Sequence, residues 1–280
     1  MYRVLSLFAG IGGLCHQGIE TASLDEKFLV TDFVEANPFR QKVLQHHCPL
    51  SRIYPDVKTF KPSQPYDIIC GGSPCQDISQ ANPEAQGLQG DRSGLWREMW
   101  RIIATAKPRI VLWENVAGAA HPKRNQAISP LGEVIGSLAH IGYLCQWQSI
   151  RLSSLGAAHR RERILLVAHP NGWKQESRGI LPPSWAGCIG SQAKELLSEW
   201  ASKPPSHQAM VNGFSEELPR HVGGWWKANP FDGIESMGRN VIKDRYQKNS
   251  AIGDSCSPIH SAIAWTYIYS LLQWHELNKQ

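Results

Sequence analysis

Apolar residues in the first 170 positions gather in short runs: Tyr2 to Leu7, Phe28 to Phe33, Ile68 to Cys70, Ile110 to Trp113, Gln146 to Arg151 and Ile164 to Ala168. Runs this short, dominated by Val, Ile and Leu, predict strands covered on both faces. Arg40 to His46 and Leu95 to Ala106 lie between them with apolar positions at helical spacing. Strands alternating with helices build βαβ units, so the predicted fold class is α/β, a doubly wound, mainly parallel sheet with helices on both faces.

From Asn171 to about Asn240 the pattern gives way to Gly, Pro, Trp and polar residues with little periodicity, apart from a helical stretch at Gln192 to Trp200. Pro258 to Leu272 is apolar again and predicts a helix. The expected organisation is a main domain over 1–170, a small irregular module over 171–245, and a segment 246–280 that returns to the main domain. Insertions of this kind usually carry specificity while the scaffold carries chemistry.

A length of 280 residues supports a substantial core, and a net charge of +5 permits nucleic-acid binding without demanding it. The 7 cysteines are odd in number and scattered, with no CxxC pair, which points to reduced thiols inside a cell. Neighbours in His46-His47-Cys48 cannot easily converge on one metal, so that cluster reads as a helix end and no metal is expected. No charged-then-apolar leader precedes Val4, and no apolar run reaches the length of a membrane span, so a soluble, cytoplasmic protein is expected.

The first strand leads into Phe8-Ala9-Gly10-Ile11-Gly12-Gly13-Leu14, a glycine-rich turn that opens a helix. In a doubly wound sheet such a turn lets a nucleotide-like ligand approach the backbone, and Glu35 near the end of the second strand is placed for ribose hydroxyls. The glycine order departs from GxGxxG and Phe8 brings an aromatic face, which disfavours a nicotinamide dinucleotide. A turn that holds no ligand remains compatible with these residues.

Further on, Ser73-Pro74-Cys75-Gln76 follows a buried run and Gly71-Gly72. Pro74 fixes a backbone dihedral just before Cys75, a setting that suits a thiolate nucleophile. The local residues fit equally a small apolar filler at a strand end.

Taken in order, Phe8 to Gly13, Glu35, Asp56, Gly71 to Gln76, Glu114-Asn115-Val116, Arg161-x-Arg163 and Ile252-Gly253-Asp254 to Pro258 resemble the motifs of the DNA cytosine-5 methyltransferases. That resemblance implies S-adenosylmethionine as cofactor. Phe8 would stack near its adenine and methionine parts, and Gly10, Ile11 and Gly12 would form the turn beneath it. Glu35 would take the ribose hydroxyls, Asp56 and Val57 would border the adenine, and Pro74, Leu95 and Asp254 would complete the pocket.

By the same resemblance Cys75 adds to carbon 6 of cytosine and makes carbon 5 enamine-like. Glu114 pairs with ring nitrogen 3 and the exocyclic amine, Asn115 holds the loop, Arg163 donates to the carbonyl oxygen, and Arg161 supports it. The base must leave the double-stranded DNA stack to be reached. The module 171–245 would read the flanking bases through Trp173, Trp185, Trp225 and Trp226 with Arg178, Arg220 and Lys227.

Other roles stay open for these residues: Glu114 as a helix cap, the two arginines as solvent-facing strand residues, Asp56 as a turn residue, the tryptophans as a small core. Two positions depart from the family pattern, His159 where Gln is usual and Asp254 where Asn is usual, the latter adding a negative charge near the methionine moiety. The leading expectation is a monomeric DNA cytosine-5 methyltransferase, with or without a cognate restriction endonuclease. A DNA-binding homologue impaired in turnover is the alternative. An enzyme acting on RNA cytosine is a third, although the Cys-Phe-Thr element of that branch is absent.

Overall fold

Strand β1 (Tyr2–Leu7) lies inside a seven-stranded sheet of order β3-β2-β1-β4-β5-β7-β6. Its partners are β2 (Phe28–Val34), β3 (Arg52–Tyr54), β4 (Ile68–Gly71), β5 (Ile110–Val116), β6 (Tyr143–Arg151) and β7 (Glu162–Pro170). This computed structural model describes residues 1–73, 94–122, 127–155, 161–173, 182–190, 250–251 and 254–279. The doubly wound sheet read from the sequence is present. Strands β3 to β5 in that order are parallel, and β7 and β6 are added antiparallel at one edge.

Both faces of the central strands are buried, which explains their continuous apolar character. Val4, Ile68, Cys70, Ile110, Leu112, Leu165 and Val167 point to one face, covered by α1 (His16–Thr21), α2 (Pro38–His47) and α5 (Pro258–Lys279). Leu5, Leu7, Ile69, Val111, Trp113, Ile164 and Leu166 point to the other, covered by α3 (Gly94–Ala106) and α4 (Pro130–His140). Each fully buried Leu, Ile or Val contributes about 1.5–3 kcal/mol, so both layers are needed to hold the sheet.

Local signals set the helices. Asn37 caps α2 by accepting from the N–H groups of Phe39 (2.9 Å) and Arg40 (3.3 Å), and Pro38 supplies the preset φ of a first helical residue. Ser129 does the same for α4 through Gly132 N–H at 3.1 Å. The carboxyl-terminal helix α5 docks beside α1, and Trp265 Nε1 donates to the carbonyl of Leu14 at 2.7 Å.

Two of the tryptophans expected to face DNA are packing residues instead. Trp185 is buried and stacks on Tyr267 of α5 at 4.2 Å between ring centroids, and Trp173 stacks on His275 at 3.9 Å. The broad apolar face of α5 needs cover, and these rings supply it. Trp225, Trp226, Arg178, Arg220, Lys227 and the helical stretch Gln192 to Trp200 lie outside the described residues. Among the described residues no helix is long and apolar enough to cross a membrane, and no group of three metal-ligating side chains occurs.

Candidate active site

A cavity of about 820 Å³ opens at the carboxyl ends of β1, β2, β4 and β5. Between β1 and β4 successive connections leave in opposite directions, so the loops splay apart and create a crevice there. The volume is in the range of small-molecule sites, about 300–1,000 Å³.

One half of the cavity is lined by an aromatic ring, apolar side chains and a buried carboxylate. Phe8 sits at φ +53°, a left-handed conformation that strains a non-glycine residue, and it lines the cavity wall. Glu35 is buried, with Oε2 accepting from Gly10 N–H at 2.7 Å and Oε1 from Asn37 N–H at 2.9 Å. Burial pushes its carboxyl above the ordinary value, while those two N–H groups and then Arg40 pull it back. Asp56, Val57 and Leu95 line the same half. Arg101 on α3 donates to the carbonyls of Val57 and Phe60, both at 3.0 Å, and so pins that loop. Asp56 is also a turn residue, accepting from Lys58 N–H at 2.9 Å.

Ile11 and Gly12, expected in the cofactor turn, do not line the cavity. Ile11 is buried in the interior, and Gly12 N–H closes the turn on the carbonyl of Ala9 at 2.9 Å. Beside them the segment 254–256 packs so tightly that a Cβ on Gly13 would lie 2.1 Å from Ser255 Oγ and 2.5 Å from the Cys256 carbonyl oxygen. The carboxyl-terminal block therefore forms part of the cavity wall only because residue 13 lacks a side chain.

The other half carries charge. Glu114 and Asn115 do not follow a strand, as the apolar pattern suggested; β5 continues through them to Val116 because β7 pairs with it. Arg163 likewise lies within β7 rather than before it, and its Nε meets Glu114 Oε1 at 2.8 Å. Burial raises the Glu114 carboxyl above its ordinary value, opposed by the charges of Arg163 and Arg161. Arg161 does not line the cavity but donates to the carbonyl of Ser255, tying this half to the carboxyl-terminal block.

Ser73, the last described residue before the expected nucleophile, is anchored by Trp113 Nε1 to its hydroxyl at 3.1 Å and by Asn115 Nδ2 to its carbonyl at 3.4 Å. Asn115 and Trp113 thus both hold Ser73. Pro74, Cys75 and His159 lie outside the described residues. Gly72 lets the loop pass the acid, since a Cβ there would lie 2.8 Å from Glu114 Oε2.

Sequence reasoning missed Arg40 and Cys256. Asp254 lines the cavity with its charge paired: Arg40 Nη2 lies 2.5 Å from its Oδ2. The unusual aspartate was the signal that a cation should be sought nearby. Cys256 is buried beside Glu114, and burial followed by that carboxylate drives its thiol well above the ordinary range.

S-adenosylmethionine fits this donor set. A buried carboxylate suits vicinal hydroxyls, Phe8, Val57 and Leu95 offer apolar surface for a purine, and the charged pair at the far wall suits an amino-acid end.

A family model described as C-5 cytosine-specific DNA methylase matches residues 2–257. The Type II methyltransferase M2.BsuMI of Bacillus subtilis (strain 168) is 31% identical over 173 residues, covering 59% of this chain and 41% of that protein. M.CviJI of Paramecium bursaria Chlorella virus IL3A is 33% identical over 180 residues, covering 62% and 45% respectively. The match thus spans less than half the length of these curated relatives. The solved Entamoeba histolytica methyltransferase EhMeth superposes with a TM-score of 0.63 at 13% identity, covering 97% of this chain and 99% of that one. The S. pombe Dnmt2 methyltransferase gives 0.58 at 14%, with 98% and 99% covered. At such identities the likeness is one of fold.

Proposed function

Because the chain belongs to the C-5 cytosine-specific DNA methylase family, we propose that it transfers a methyl group from S-adenosylmethionine to carbon 5 of cytosine in double-stranded DNA. The observation that carries this reading is the Arg163–Glu114 pair facing the same cavity as Phe8 and Glu35. Groups suited to the polar edge of a pyrimidine stand beside groups suited to a nucleoside cofactor.

When bound, the cofactor supplies an electrophilic sulfonium methyl group. Glu35 would hold the ribose, and Phe8, Val57 and Leu95, which line the cavity, would hold the purine. Cys75 as thiolate adds to carbon 6 of the flipped cytosine, so that carbon 5 gains the electron density needed for attack. Glu114, whose carboxyl burial raises above its ordinary value, pairs with ring nitrogen 3 and the exocyclic amine and stabilises the charge that builds there. Arg163 donates to the carbonyl oxygen of the base, and the pair fixes both side chains before substrate arrives. After transfer, water removes the carbon 5 proton and the cysteine departs.

Residues 171–245 are assigned to target recognition, with 1–170 and 246–280 forming the catalytic unit. A monomer in the cytoplasm, serving beside a separate restriction endonuclease, completes the proposal; Type II relatives support the last part. The test is a duplex carrying 5-fluorocytosine, incubated with the protein and S-adenosylmethionine. A covalent adduct is expected from the natural chain and none from Cys75→Ser. An RNA oligonucleotide of matching sequence run in parallel separates DNA from RNA as substrate, and absence of adduct with both refutes the proposal.

A further inference from the structure

We propose that Trp113 and Ser73 are positioning residues for the nucleophile: the indole N–H of Trp113 holds the Ser73 hydroxyl and so fixes the chain that delivers Cys75 to the cavity. The inference rests on the reading that Cys75 attacks the base, and it assigns the placing of that thiol to two side chains outside the reacting atoms.

Strand register builds the pair. In the parallel ladder of β4 and β5, Gly71 stands opposite Trp113, and Gly72 and Ser73 run on beside the last residues of β5. Trp113 Nε1 donates to Ser73 Oγ at 3.1 Å, Gly72 lies against Glu114, and Asn115 Nδ2 donates to the Ser73 carbonyl at 3.4 Å. The Asn115 amide is itself oriented, because its Oδ1 accepts from Val116 N–H at 2.8 Å. Ser73 is therefore gripped by side chain and main chain together.

The donor stands on a rigid frame. Trp113 is fully buried, and its ring meets Trp96 of α3 edge-on with centroids 6.3 Å apart. Trp96 Nε1 donates to Ser137 Oγ on α4 at 3.2 Å, and Trp100 Nε1 donates to the carbonyl of the same serine at 3.0 Å. Indoles thus connect both helices of this face to the residue two places before Cys75.

Hydrogen bonding explains why an indole and a hydroxyl occur together. A buried Trp N–H needs an acceptor and a buried hydroxyl is costly without a partner, so each group fixes the other. Apolar packing alone would fill this layer equally well. A directed donor at 3.1 Å also sets where the chain leaves Ser73 and, through the preset φ that a proline at 74 carries, the approach of Cys75.

The experiment compares Ser73→Ala, Trp113→Phe and the double variant with the natural full chain. Three quantities are read: the single-turnover rate of adduct formation on the 5-fluorocytosine duplex, kcat and KM for methyl transfer, and the affinity for S-adenosylhomocysteine by calorimetric titration. Each single variant should lower the adduct rate and kcat by about 10-fold or more, as a thiol displaced by a fraction of an ångström would, and leave KM and the affinity within about 2-fold. The double variant should lose no more than the worse single one, since both remove the same bond.

An unchanged adduct rate in Ser73→Ala would overturn the proposal and leave the bond as a partner for two buried groups and nothing more. Losses that add in the double variant, or a fall in cofactor affinity that matches the fall in rate, would overturn it too, as signs of a loosened core. No adduct from the natural chain refutes the reading of Cys75 itself, a distinct result. Thermal melts report the fold of each variant. Should Trp113→Phe fail to fold, Ser73→Ala, which removes only the hydroxyl oxygen, decides.

Discussion

Glu114 and Arg163 are diagonal neighbours across an antiparallel strand pair: Glu114 registers with Leu165 and Arg163 with Val116, and their charged ends meet at 2.8 Å. Both point to the face covered by α5, where Leu112 and Leu165 also lie. The antiparallel addition of β7 therefore brings an acid and a guanidinium together without either lying on a loop. Side chains held by a strand pair keep their geometry better than side chains held by a loop.

Replacing the acid tests its role and its protonation together. Glu114→Gln should lower methyl transfer by about 10²-fold or more, measured as labelled methyl incorporated into DNA. The Glu114 carboxyl is raised by burial above its ordinary 4.5, so the folded state holds the extra proton over a window above that value. Its contribution to stability is fully present below 4.5 and is lost as pH rises through the raised value. Denaturant titrations at several pH values should show this slope in the natural chain and its absence in the variant.

Gly72 controls where that acid sits. A methyl group at residue 72 would lie 2.8 Å from Glu114 Oε2, and the ion pair with Arg163 resists the shift. Gly72→Ala should keep the fold, because the shorter conflict falls on a side-chain end and the Glu114 carbonyl oxygen at 3.2 Å needs to give by only a few tenths of an ångström, and lose about 10–100-fold in turnover, the cost of a misplacement near 1 Å. A variant with unchanged turnover would show that the acid has room to move.

Phe8 combines strain with a binding face. Left-handed φ costs a non-glycine residue roughly 1–2 kcal/mol, so Phe8→Gly should be less destabilising than Phe8→Ala. Both should weaken S-adenosylhomocysteine about equally, since both remove the ring. Paired melting and titration experiments separate the two effects, and full affinity in either variant would exclude stacking.

Two thiols compete for the role of nucleophile, Cys75 by its motif and Cys256 by its place on the cavity. Cys256 borders the cavity, yet burial and the nearby carboxylate keep it protonated. Cys256→Ser should retain activity within a few-fold, while Cys75→Ser should form no adduct with fluorinated DNA. The opposite pattern would reassign the nucleophile.

Much of the scaffold was legible because strands buried on both faces are apolar throughout, as in Ile68-Ile69-Cys70. Strand β3 escaped notice because Arg52-Ile53-Tyr54 is short and partly exposed. Helix α4 was hidden by its two glycines, and β6 begins at Tyr143 rather than Gln146 because an edge strand mixes polar and apolar residues. That Glu35, Glu114 and Arg163 belong together was suggested by motif order, and all three line the cavity. Arg40 could not, since its meaning depends on Asp254, 214 positions away, and only the fold joins them.

The bond from Trp265 to the carbonyl of Leu14 spans 251 positions of sequence. Contacts so distant form late in folding, because the intervening chain must close before they reward it. The glycine-rich turn therefore receives its final latch last, after the strands that carry the acid and the arginine have paired. In a refolding time course, recovery of S-adenosylhomocysteine binding should lag behind the return of the circular-dichroism signal. Simultaneous recovery would place the docking of α5 among the early events.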